Sequence, residues 1–172
     1  MNATYFESQL QDGKIVKRLL LTLTYDDPIA CVLSSHLILE RMLEIWIESY
    51  TETPNLLNNV QLSFSQKLNV CKNCELPAEI ITCISKINKL RNAISHQLEK
   101  SELNNNEVHQ LIELVKQVDF PSKLDNIYEC SINTLNGMIK IQDASNNQRV
   151  VCCALILISS INISANKLTK QQ

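Results

Sequence analysis

Glycine is nearly missing from this chain of 172 residues, which has two, Gly13 and Gly137. Tight hairpin turns and the glycine loops that cradle nucleotide phosphates both need residues that take positive φ without strain. Their scarcity excludes Gly-rich nucleotide motifs and disfavours an all-β fold. Prolines are also few, at 28, 54, 77 and 121, so long helices can run between them. Aromatic residues make up 5% of the chain, too few for the interleaved aromatic and basic surface of a single-strand nucleic-acid binder. Trp46 and Phe64 are expected in the core. Charge of one sign is missing too. The 16 Lys+Arg and 18 Asp+Glu leave a formal net charge of −2, so no overall basic field draws the protein to nucleic acid or an anionic membrane. Any phosphate site has to be local. The most apolar run, VVCCALILISSINI at 150–163, contains serines and an asparagine and is shorter than the roughly 20 residues a bilayer requires. It predicts the central helix of a bundle or a seam between two copies, with no membrane contact.

Cysteine, by contrast, is abundant. Seven are present, at 31, 71, 74, 83, 130, 152 and 153, an odd number, and most sit inside apolar runs where a free thiol behaves as a small hydrophobe. The first thirteen residues, MNATYFESQLQDG, carry no signal-peptide pattern. A reduced, cytoplasmic setting is therefore expected. CKNC at 71–74 has the spacing of half a zinc site, but no second such pair follows, and no strand precedes it as a redox motif requires. No metal and no cofactor is expected.

Helical periodicity recurs along most of the chain, broken by short polar stretches that carry proline or asparagine. A first helix is predicted over 5–24, weakened at Asp12-Gly13. Asp27 then caps a helix that opens with Pro28 and runs to about residue 50. Its apolar face includes Val32, His36, Leu39, Leu43 and Trp46. His36, alone on that face, reads as a hydrogen-bonded core residue, and His109 as a solvated one. A shorter helix over 62–74 is followed by a fourth over 77–100, a fifth over 104–118, a sixth over 122–140 and a seventh over 147–167. The expectation is one all-α domain spanning 1–172, a bundle of five to seven helices.

The fourth helix holds the residue that needs explaining. At about 100° per residue, Cys83, Ile84, Ile87, Leu90, Ile94 and Leu98 share one arc, and Arg91 falls inside it. Asn88, Asn92 and Ser95 lie along the arc's edge. His96 points about 140° away from Arg91, with Lys89 and Ser85 as neighbours. One reading is structural, with the arginine's stem filling space and its head paired to a buried acid such as Glu40 or Glu44. The other is functional: Arg91 points into a cleft and holds an anion bidentately.

The stretch KINKLRNAISHQL resembles the conserved helix of the HEPN superfamily. Its hallmark is an arginine, four to six residues of which the first is usually polar, and a histidine: here Arg91, Asn92 and His96. The upstream segment, with Phe64 and Lys67 on one helix, a short turn and then the Arg-Asn helix, is similar to a pattern in bacterial HEPN-like and mannitol-operon-repressor-like proteins. The resemblance covers roughly residues 30–100. It implies a homodimer whose two Arg/His sets line one cleft, and metal-independent endoribonuclease chemistry in defence, stress response or a toxin–antitoxin system. In that scheme His96 takes the proton of a ribose 2′-hydroxyl or protonates the leaving 5′-oxygen, Arg91 stabilises phosphoryl charge, Asn92 orients His96 or the phosphate, and Lys89 and Ser95 contact the RNA. RNA and an antitoxin or regulatory protein are the implied partners. Where the toxin branch carries a modifiable tyrosine two residues after the histidine, this chain has Leu98, which argues against regulation by that route. The repressor-like branch implies the alternative, a non-catalytic helical regulator acting through protein contacts.

Overall fold

Helix boundaries follow the local capping chemistry closely in a computed structural model, which describes residues 1–11, 13–95, 102–120, 127–134 and 137–170. Asp27 accepts the Ile29 N–H (2.9 Å) and Pro28 opens α3, Pro28–Tyr50. Ser63 and Gln66 form a reciprocal capping box at the start of α4, Phe64–Asn73, and Ser145 and Gln148 form another ahead of α7, Asn146–Thr169. Asn104 caps α6, Asn105–Val115, through the Asn106 N–H at 2.8 Å. Between α4 and α5, Ala78–Ser95, the chain turns through Glu75 at φ 61° and Pro77.

Two expectations are corrected. The helix predicted over 5–24 is two helices, α1 at Ala3–Leu10 and α2 at Lys14–Thr22. Gly13 sits between them in the left-handed region at φ 63° and donates its N–H to the Leu10 carbonyl, so the chain stops one helix and starts another. Among the described residues the sixth predicted helix is absent. Its first residues, 122–126, lie outside the described ones. The rest form a 3₁₀ turn at Ile127–Glu129 and a hairpin of β1, Ser131–Thr134, and β2, Gly137–Lys140. Ile132 stands opposite Ile139, and Gly137 enters β2 at φ 118°. Two isoleucines on paired strands and one glycine at a positive φ are enough for a single hairpin, even in a glycine-poor chain.

The fold is all-α, with seven α-helices and one two-stranded sheet among the described residues. Helices α3 and α7 pack along each other as its axis, with α5 against α3 and α6 against α7 and α5. The run at 150–163 is the central helix: Val150, Val151, Cys152, Ala154, Leu157 and Ile161 are fully buried. Helix α7 is the one described helix long and apolar enough to cross a membrane, and 67% of its apolar window is buried inside its own chain. Trp46, fully buried, meets Phe6 edge to face (6.2 Å, 88°) and donates its indole N–H to the Cys74 carbonyl at 2.9 Å.

Helix α5 is held in rotation by its apolar arc. Ile80, Cys83, Ile84, Ile87, Leu90 and Ile94 are all buried, and each isoleucine or leucine adds about 1.5–3 kcal/mol for leaving water. Turning the helix to expose that face would cost several such increments. This fixes where Arg91 points.

Candidate functional site

Arg91 lies half-buried at the edge of the α5 arc, and its Nη1 donates to Asn92 Oδ1 at 3.0 Å. Its Nε is buried with no hydrogen-bond partner among the described residues. The acids expected to neutralise it are engaged elsewhere. Lys67 of α4 reaches Glu40 at 2.8 Å and Glu44 at 2.7 Å, and Arg41 reaches the other oxygen of Glu44 at 3.0 Å. Two carboxylates thus meet two cations. The structural reading in which Arg91 pairs with Glu40 or Glu44 is corrected: Lys67 outcompetes it for both. Among the described residues Arg91 has no ion pair.

The polar set around Lys67 is strongly coupled. Burial alone would raise the Glu44 carboxyl, but hydrogen bonds from Lys67 and Arg41 outweigh it and hold the group below the usual carboxylate range. Burial pulls the Lys67 ammonium down, and its bonds to Glu40 and Glu44 more than reverse this.

Beside this set, His36 of α3 is buried, donates from Nε2 to Asn88 Oδ1 of α5 at 3.0 Å, and stacks on Phe64 of α4 (4.3 Å between centroids, 28° between planes). Burial is the main reason its imidazole is held below the ordinary range. The charges of Arg91 and Lys67 reinforce that shift, while the Asn88 bond and Glu40 oppose it. A histidine kept neutral at pH 7 adds no second positive charge beside Arg91. The core reading of His36 and the packing role of Phe64 therefore meet in one contact that ties α3, α4 and α5 together.

Arg91, Asn92 and Ser95 share one stretch of helix surface, with Ser95 Oγ donating to the Arg91 carbonyl at 2.8 Å. Asn92 and Ser95 are exposed, and Asn88 lies half-buried beside them. Lys89 is exposed two residues before Arg91 and so faces away from it. It is not brought to the same point. His96 and Leu98 lie outside the described residues. His109 is exposed and meets the Tyr128 hydroxyl at 3.1 Å. Periodicity alone does not reveal that His36 and Asn88, 52 positions apart, would touch. The available signal was Asn88 lying one turn before Arg91 on the arc's edge.

The thiols of CKNC and of α7 are inward. Burial pushes the Cys83 and Cys152 thiols up to about 12 and Cys31 to about 11, with Cys71 and Cys153 also raised. Such groups are packing atoms rather than nucleophiles. Among the described residues no group of three or more His, Cys, Asp or Glu side chains is placed to hold a metal ion.

No family model matches the chain, and no curated protein or solved structure is significantly similar to it.

Proposed function

We propose that this protein is a HEPN-type RNA-binding protein with metal-independent endoribonuclease chemistry, serving in defence, stress response or a toxin–antitoxin pair. The single observation that supports the reading is that Arg91 has no ion pair among the described residues. A half-buried guanidinium whose neighbouring acids are taken by Lys67, and whose neighbouring histidine is kept neutral, is suited to hold an anion from outside the chain. A phosphodiester supplies that anion.

In this proposal the 2′-oxygen of the RNA attacks the adjacent phosphorus and the 5′-oxygen leaves, giving a 2′,3′-cyclic phosphate. His96 accepts the 2′-hydroxyl proton or delivers one to the leaving oxygen, and Arg91 stabilises the charge that gathers on the phosphoryl oxygens. Asn92, already bonded to Arg91, holds the guanidinium in place. A homodimer with both Arg/His sets facing one cleft would join two residues whose helical spacing diverges within a straight helix.

Expression in a bacterial host tests the proposal. Wild-type protein should slow growth, and Arg91→Ala and His96→Ala should each relieve it. Equal growth with wild type and both variants overturns the nuclease reading in favour of the non-catalytic regulator.

A further inference from the structure

A second cationic feature lies on the other side of α3. Helices α2 and α3 enclose a half-open cleft of about 220 Å³. Ile15, Leu37 and Ile38 give it apolar walls, and Lys14, Arg18 and Arg41 line it with cations. The sequence builds this from two helical spacings: Ile15 and Arg18 are three apart on α2, and Leu37 and Arg41 four apart on α3, so each helix offers one apolar and one cationic side chain on the same face. Ile38 is 7% exposed and forms the floor, while Leu37 is 58% exposed at the lip.

The charge of Arg18 is not cancelled among the described residues. Arg41 is pinned by Glu44 and by Gln9 (3.3 Å), which fixes its guanidinium, but Glu44 also serves Lys67. Arg18 is exposed and makes no ion pair among the described residues. An apolar slot edged by an unpaired guanidinium and a second, fixed one is complementary to a ligand with an aliphatic body and one anionic head. The size bounds it further. Clefts for drug-sized ligands measure roughly 300–1,000 Å³, so this one suits a smaller molecule.

We propose that the α2–α3 cleft binds a medium-chain aliphatic carboxylate, with the chain against Ile15, Leu37 and Ile38 and the carboxylate forked by Arg18 beside Arg41. The Arg91 surface plays no part in this site. The guanidinium gives planar, two-point contact to the head group, and the leucine at the lip closes over the chain.

Titration of the ¹⁵N-labelled full chain with sodium octanoate, followed by amide chemical shifts, tests it, with 1-octanol and inorganic phosphate as comparison probes. Octanoate should give saturable shifts confined to α2 and to the Ser34–Arg41 stretch of α3. It should bind at least tenfold more tightly than 1-octanol, and phosphate should not saturate. Arg18→Gln should weaken octanoate about tenfold, the scale of one lost charge-assisted hydrogen bond, and leave 1-octanol unchanged. Leu37→Ser should weaken both. Both substitutions fall at exposed positions, so the fold is retained. Absence of saturable octanoate shifts, shifts centred elsewhere, equal binding of the alcohol, or indifference to Arg18→Gln each overturn the proposal.

Discussion

Replacing Lys67 with methionine isolates the network on which the reading of Arg91 depends. The side chain of Lys67 is 12% exposed and those of Glu40 and Glu44 are 23% and 24% exposed. Exposed ion pairs contribute about 0–1 kcal/mol, whereas breaking a buried pair by removing one partner costs about 3–5 kcal/mol. The intermediate burial places Lys67→Met near ~2 kcal/mol, since it strands half-buried Glu40 beside Glu44, which keeps only Arg41. With a urea m-value of about 2 kcal/mol/M, the unfolding midpoint should fall by about 1 M. Placing the same substitution in a Glu40→Gln/Glu44→Gln background at pH 7 removes the stranded charge, and the loss should shrink to below ~1 kcal/mol, as expected for coupled neighbours. The pH dependence has a fixed sign. Glu44 titrates below its ordinary range when folded, so its contribution is present above that range and is lost as pH falls through the folded value. Lys67 titrates above its ordinary range, so its contribution is present below that range and is lost as pH rises through the folded value. The network is therefore at full strength around neutrality. A neutral Lys67→Met at pH 7, or an undiminished loss in the double-amide background, refutes the reasoning.

Three other outcomes are expected. His36 is held below the ordinary histidine range, so the unfolded chain takes up its proton first and stability declines as pH falls below about 6.5. His36→Gln should flatten that part of the profile, and a stability loss between pH 7.5 and 5.5 that is equal in both proteins, read from denaturation midpoints, would show that burial does not govern this residue. Ile84→Ala, at a fully buried position of α5, should cost about 2–5 kcal/mol in chemical denaturation. Six of the seven cysteines are buried and Cys130 is half-buried, so Ellman's reagent should titrate at most one thiol in the folded protein and all of them in denaturant. Rapid reaction of several thiols without denaturant would contradict the packing of α5 and α7.

What the sequence discloses and what it conceals divide along the range of the interactions. Asp27-Pro28, Ser63 with Gln66, and Ser145 with Gln148 act within four residues, and the starts of α3, α4 and α7 are legible for that reason. The arc of α5 is legible because burial repeats at the helical period. The break at Gly13 is legible only as a weak point in one helix, and the hairpin at 131–140 is not legible, because it depends on the pairing of Ile132 with Ile139 across a glycine at positive φ. The site is legible only in part. Arg91, Asn92 and Ser95 share a surface as their spacing implies, but which cation takes Glu40 and Glu44 depends on where α4 crosses α3. Nothing in the period of α5 says that Lys67 would arrive first. The contact of His36 with Asn88 and Phe64 is likewise a product of three helices meeting.

The most direct test of the central claim is cleavage of single-stranded RNA by purified protein in the presence of EDTA, with the product ends identified. The account predicts 2′,3′-cyclic phosphate ends and a rate that falls at least ~10²-fold in both Arg91→Ala and His96→Ala, the scale of losing an electrostatic stabiliser or a general acid–base group. Wild-type protein that leaves RNA intact, or an Arg91→Ala variant that cleaves at the wild-type rate, would contradict it.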